Sequence, residues 1–213
     1  MPFELPRIKV CGLTTVADVA VAVAAGADAL GFVHYAASAR HVTSAQAREL
    51  VAGVRCLTVA VVVDATPVAA ARFLQASGLD AIQLCGRENP SDWTNFDAPI
   101  LRRVAVDTAG ASEQDAWSAI AAGFVLDHPN SPGGSGLGVD LQLAAGLARR
   151  GPCLLAGGLD ALNVSQRVRS VEPHGVDASS RLEREPGIKE PQLVRSFVAS
   201  ARRTLDQCAE NRA

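Results

Sequence analysis

Aromatic residues are scarce, at 4% of the chain, whereas alanine is plentiful. That bias favours helices and says little about chemistry. Charge of one sign is also missing: lysine plus arginine number 20 against 22 aspartate plus glutamate, a net charge of -2, with no basic run. A phosphate backbone would find little to hold, so nucleic acid is not an expected partner. Long apolar runs are absent, and nothing approaches the roughly 20 residues needed to span a bilayer, so no membrane association is expected. The few residues before the first apolar strand are interrupted by Glu4 and Arg7, which argues against a signal-peptide apolar region. No Cys-x-x-Cys pair occurs. The five cysteines (Cys11, Cys56, Cys85, Cys153 and Cys208) are odd in number and scattered, as expected of free thiols in a reducing compartment, which points to the cytoplasm.

What is present is alternation. Short β-branched runs alternate with alanine-rich segments of helical period, the mark of βαβ units and a parallel sheet. Eight strands are predicted, at 7–11, 29–34, 57–64, 81–85, 100–106, 123–127, 153–156 and 175–179. Helix-compatible segments lie at 16–25, 44–54, 67–77, 141–150 and 163–170, with a closing one at 191–209 and a short, poorly formed one at 90–95. Eight units in 213 residues predict one domain over 1–213, an α/β fold of the (β/α)8 barrel type near its lower size limit. An open doubly wound sheet is the runner-up, and it leaves two strands unexplained. The echo of Gly31-Phe32-Val33 in Gly123-Phe124-Val125 is too short to establish a duplication. Residues 129–138, PNSPGGSGLG, form a glycine-rich loop after the sixth strand, a natural candidate for a lid.

In such a barrel the reactive groups gather at the carboxyl ends of the strands. Cys11 and Asp127 end strands one and six, and Asp64, Cys85 and Asp177 lie at or near other strand ends. Gly157-Gly158 and Ser179-Ser180 follow the last two strands, where this fold commonly binds phosphate through backbone N–H groups. A thiol facing a carboxyl group across the mouth could remove a C–H proton while the acid protonates a departing oxygen. Each residue alone has a bland explanation, Cys11 as a small core residue and Asp127 as a turn cap.

The motifs in order are more specific. Lys9-Val10-Cys11-Gly12-Leu13-Thr14 and Gly26-Ala27-Asp28-Ala29-Leu30-Gly31-Phe32-Val33 are followed by Ser38-Ala39-Arg40-His41-Val42 and Gln83-Leu84-Cys85-Gly86. Then come Leu126-Asp127, Gly133-Gly134-Ser135-Gly136, Ala156-Gly157-Gly158-Leu159, and Gly175-Val176-Asp177 leading through Ser179-Ser180 to Glu183, Pro186-Gly187 and Lys189. In order and spacing this set resembles the phosphoribosylanthranilate isomerases of tryptophan biosynthesis along most of the chain.

The resemblance implies a cofactor-free Amadori rearrangement of N-(5-phosphoribosyl)anthranilate to 1-(2-carboxyphenylamino)-1-deoxyribulose 5-phosphate. Asp127 would be the acid that opens the ribose ring. Cys11, as a thiolate lowered by nearby dipoles, would be the base that takes the C2 proton. Arg40 would hold the anthranilate carboxylate. Gly157, Gly158, Ser179 and Ser180 would cradle the phosphate, with Asp177 also among the substrate contacts. No cofactor and no metal are implied, and the partner is a phosphorylated small molecule, handled by a monomer or a homodimer.

The chain departs from the family pattern at Arg181, where glycine is usual, at Cys85, where histidine is usual, and at His34, where an aromatic is usual. It also departs at Leu137, Val139 and Leu141, after the glycine-rich loop. These positions are expected near the phosphate and the ring. The alternatives are a diverged paralogue acting on another phosphorylated sugar amine, and a metal-dependent sugar-phosphate epimerase built from His34, Asp64, Cys85 and Asp177. A degraded barrel kept as a binding protein is the non-enzyme reading, and retention of both Cys11 and Asp127 argues against it.

Overall fold

The structure, a computed structural model, describes residues 3–129 and 138–211. Eight parallel strands follow one another in chain order: β1 (Ile8–Cys11), β2 (Ala29–His34), β3 (Leu57–Val62), β4 (Ala81–Leu84), β5 (Ile100–Ala105), β6 (Gly123–Asp127), β7 (Cys153–Leu155) and β8 (Gly175–Ala178). β8 pairs with β1, in register Lys9 to Asp177, and closes the sheet into a barrel. An open sheet is thereby excluded. The connecting helices are α1 (Val16–Ala25), α2 (Ser44–Leu50), α3 (Pro67–Ser77), α4 (Gly110–Trp117), α5 (Leu141–Ala148), α6 (Val164–Val171) and α7 (Pro191–Glu210). A single 3-10 turn, Pro90–Trp93, replaces a helix between β4 and β5. After β8 the chain makes a 3-10 turn, Ser180–Leu182, and a small hairpin, β9 (Glu183–Glu185) with β10 (Ile188–Lys189).

Local sequence explains where the helices begin and end. The Thr15 and Thr66 hydroxyls accept from the backbone N–H three residues on, and Thr43 makes a full capping box with Gln46. Gly26 and Gly78 end α1 and α3 with φ of 90° and 74°, a conformation that costs glycine nothing. Some elements stop earlier than the sequence pattern suggests. β3 ends before Asp64, whose φ is 52°, and α2 ends at Leu50, ahead of a turn at Gly53 with φ 78°. α4 and the hairpin are elements that the periodicity does not reveal. Of the lid candidate at 129–138, residues 130–137, Leu137 among them, lie outside the described residues.

Alternation along each strand sorts the barrel interior from the outer core. Leu30, Phe32, Ile82, Val104 and Leu126 face outward and pack under the helices. Leu5, Ala29, Val59, Ala81, Leu101, Val125 and Leu154 form an apolar floor inside the barrel. One step nearer the mouth the interior turns polar, with Lys9, Gln83 and Asp177 buried. Above that, Cys11, Val61 and Cys85 form a small cluster with Val33 and Val63 against it. Among the described residues no helix is long and apolar enough to cross a membrane.

Candidate active site

A cavity of about 260 Å³ opens at the carboxyl ends of the strands. Its wall includes Cys11, Arg40 and Asp127, then Gly157 and Gly158, then Asp177, Ser179, Ser180 and Arg181. The residues given catalytic or substrate-binding roles by the resemblance therefore border one space. Tyr35, Gln83 and Cys85 complete much of the remainder.

Cys11 fits because β2 makes room for it. A Cβ on Gly31 would stand 2.6 Å from the Cys11 Sγ, far inside van der Waals contact, so a side chain there would displace the thiol. Beneath Cys11 lies an ion pair, with Lys9 Nζ donating to both carboxylate oxygens of Asp177 at 3.0 Å. The Lys9 side chain is wholly buried and that of Asp177 nearly so. Lys9 and Cys11 are two apart on one strand and so share its inner face. Burial pushes the Cys11 thiol up and the Asp177 carboxylate adds to this, while the Lys9 ammonium pulls it down; the net shift is upward. The expectation of a thiol lowered by local dipoles is thus corrected. Desolvation outweighs the Lys9 and Lys189 charges that favour the thiolate.

Asp127 ends β6 opposite a different environment. Its Oδ1 accepts from the His128 N–H at 2.8 Å, and Arg103 Nε stands 3.9 Å from Oδ2. Burial nonetheless raises its pKa above the ordinary carboxylate value, against the opposing pull of the His128 N–H and Arg103. An acid kept protonated in a partly dry site is suited to giving up a proton. Arg103 was not evident from the sequence as a site residue, although alternation on β5 places it inside the barrel beside Leu101. The guanidinium over the outer core is Arg102, bound to Glu88 at 2.6 Å and Glu113 at 2.8 Å and stacked over Trp117.

Arg40 reaches the cavity across Gly12, whose φ is 74° and whose absent Cβ would stand 2.5 Å from Arg40 Cδ. Its Nε and one Nη already donate to Glu183, both at 2.7 Å. A ligand carboxylate can therefore meet only the opposite edge of the guanidinium.

The last two loops are braced from behind. Arg167 donates to the Gly157 carbonyl at 3.0 Å and Asn163 to the Gly158 carbonyl at 2.9 Å. In a trans peptide the next N–H points the opposite way, so the N–H groups of Gly158 and Leu159 face away from these braces. Gly157 and Gly158 have φ of 81° and 63°, a path that a side chain would strain. Arg181, in the 3-10 turn after β8, has a side chain about half exposed and lies 3.7 Å from Asp160. Its backbone is not in the left-handed region, so replacing glycine there does not strain the loop.

Three of the departures sit elsewhere than expected. His34 faces outward, stacks on Phe73 at 3.9 Å and shares its Nδ1 with the Val42 carbonyl; it does not border the cavity. Val139 and Leu141 pack into the outer core. Asp64 turns away to accept from the Arg87 N–H at 2.7 Å. The four side chains considered as metal ligands therefore do not converge, and among the described residues no three His, Cys, Asp or Glu side chains are grouped to hold a metal.

Comparison with known proteins gives one consistent result. The family model described as N-(5'phosphoribosyl)anthranilate (PRA) isomerase matches residues 8–200. A protein named N-(5'-phosphoribosyl)anthranilate isomerase from Chromohalobacter salexigens is 38% identical, covering 95% of this chain and 97% of that protein. One of the same name from Myxococcus xanthus is 38% identical, over 92% and 96%. Among solved structures, phosphoribosyl anthranilate isomerase from Thermotoga maritima aligns with a TM-score of 0.85 at 27% identity, over 93% of this chain and 99% of that one. A further isomerase structure, in complex with reduced 1-(o-carboxyphenylamino)-1-deoxyribulose 5-phosphate, aligns with a TM-score of 0.82 at 27% identity, over 93% and 99%.

Proposed function

Because the chain belongs to the N-(5'-phosphoribosyl)anthranilate isomerase family, enzymes of tryptophan biosynthesis, we propose that Cys11 and Asp127 carry out the isomerisation as a base and acid pair at the barrel mouth. The observation that carries this reading is the pair itself, two proton-transfer groups from strands β1 and β6 bordering one cavity. Asp127 protonates the ribose ring oxygen and the C1–O bond opens to a Schiff base. The Cys11 thiolate then takes the C2 proton, and the resulting enolamine tautomerises to the aminoketose. No atom is gained or lost overall. Lys9 supplies the positive charge that makes the thiolate accessible despite burial. Gly158 and Leu159 N–H groups and the Ser179-Ser180 turn receive the phosphate, and Asp177 contributes by fixing Lys9. The chain works as a single catalytic domain in the cytoplasm, as a monomer or homodimer. Expression in a tryptophan auxotroph lacking this isomerase tests the reading, since growth without tryptophan is expected and failure to grow would favour a paralogue acting on another sugar amine.

Two side chains carry the specificity. Arg40→Lys should weaken anthranilate binding by about tenfold, because an ammonium keeps the charge but loses the planar edge left open by Glu183. Aniline lacks the carboxylate, and if wild type and variant discriminate equally between the two ligands, Arg40 does not read that group. Arg181 is the second. A guanidinium beside the phosphate adds a charge-assisted hydrogen bond of roughly 1.5 to 3 kcal/mol if aligned, discounted here because the side chain is half exposed. Calorimetry at two salt concentrations should show weaker, less salt-sensitive phosphate binding in Arg181→Gly. Unchanged affinity would make it a solvated side chain, and tighter binding an obstruction.

A further inference from the structure

Glu183, at the start of β9, does not border the cavity, yet it holds two groups that do with it. Its side chain is 4% exposed. One carboxylate oxygen accepts from Arg40 Nε at 2.7 Å and also from Lys189 Nζ at 2.8 Å; the other accepts from Arg40 Nη2 at 2.7 Å. Lys189, on β10 and with its side chain fully buried, passes the connection on to the Ser179 carbonyl at 3.1 Å and the Ser179 hydroxyl at 3.4 Å. The hairpin that carries both residues is itself pinned. The Thr14 hydroxyl donates to the Gly187 carbonyl, and Gly187, with φ 89°, lies so close to the Ala39 carbonyl that a Cβ would stand 2.9 Å from it. The loop after β2 and the segment after β8 are thus tied through one carboxylate, and the loop after β1 holds the hairpin by its backbone.

The energetics favour a fixed arrangement. Burial alone would raise Glu183, but the Arg40 hydrogen bonds and the Lys189 charge hold it below the ordinary carboxylate range. It therefore stays ionised. A guanidinium offers two bidentate edges, and with Glu183 on the Nε edge only the Nη edge is free to face the cavity. Without that anchor the long Arg40 side chain regains its rotamers, and Lys189 is left as a buried charge without its counterion.

We propose that Glu183 is a positioning residue that couples the two ends of the site, setting the edge of Arg40 shown to an aromatic carboxylate and, through Lys189, the Ser179 turn shown to a phosphate. The inference rests on the roles assigned above to Arg40 and to the turn. It differs from a purely structural role in what it moves. A structural brace would lower the melting temperature and leave affinity per folded molecule unchanged.

Glu183→Gln keeps the volume and removes the charge. Titration calorimetry with anthranilate and, separately, with inorganic phosphate should show both ligands weakened by about tenfold, and KM should rise by a similar factor with kcat less affected. If only one ligand is weakened, the coupling is refuted, and if neither is, Glu183 is a structural brace. Should the Gln variant fail to fold, Lys189→Met reads the same connection. It leaves the Arg40–Glu183 pair, so phosphate should weaken about tenfold with anthranilate nearly unchanged. Equal weakening of both ligands, or of neither, would overturn the proposal. Wild type that binds neither ligand removes the underlying reading instead, a failure seen before any variant is made.

Discussion

Asp127→Asn is expected to lower turnover by about 10²-fold or more, the size typical of a lost general acid. The amide is nearly isosteric and its oxygen can still accept from the His128 N–H, so the loop should hold its shape. What disappears is the proton, and with it the opening of the ribose ring. Cys11→Ala should cost at least as much for the other half of the reaction. Removing Sγ leaves only a small gap beside Gly31, so little instability is expected. Turnover per folded molecule is the relevant quantity, with thermal melting as the control. If either variant turns over at close to the wild-type rate, that residue leaves the mechanism.

Lys9→Met carries the second large effect, and it is felt in two ways. The variant strands the Asp177 carboxylate, nearly buried, without the ammonium that both its oxygens bind at 3.0 Å. Breaking a buried pair by removing one partner costs about 3 to 5 kcal/mol, which urea unfolding would register. Pairing it with Asp177→Leu should return much of that stability, because two apolar groups of suitable volume need no countercharge. Activity should not return. Lys9 lowers a thiol that burial raises, and burial also raises the Asp127 acid. The reactive arrangement has the acid protonated and the thiol ionised. Without Lys9 it becomes scarcer, so kcat/KM should fall on the plateau and its alkaline limb should move upward. A double variant that is stable and fully active would show that Lys9 serves only to balance Asp177.

The barrel was legible because its signal is repeated. Short β-branched runs alternate with segments of helical period, and threonines stand just ahead of three helices, at Thr15, Thr43 and Thr66, where the structure caps them. α4 lacks those signals. Its segment GASEQDAW follows Ala109, which makes no side-chain cap, and it opens on glycine. The β9–β10 hairpin was hidden because its few residues are mostly charged and show no period. That Cys11, Asp127 and Asp177 would border the mouth was legible, since the fold dictates where strand ends gather. Their partners were less so. Lys9 could have been placed beneath Cys11 by alternation alone, but the distance to Asp177 needed the closed sheet. Glu183 meets Arg40 across 143 residues of chain, and no local pattern predicts such a contact. The place of His34 at a strand end suggests that it faces the mouth, whereas its parity with Leu30 and Phe32 sends it outward.

The most direct test is to mix purified chain with N-(5-phosphoribosyl)anthranilate and follow both loss of the substrate's fluorescence and appearance of the aminoketose product. The account predicts rapid conversion by wild type without added metal or cofactor, and conversion slowed by about 10²-fold or more in Cys11→Ala and in Asp127→Asn. Wild type that leaves the substrate unchanged, or a Cys11→Ala, Asp127→Asn double variant that converts it at the wild-type rate, would contradict it.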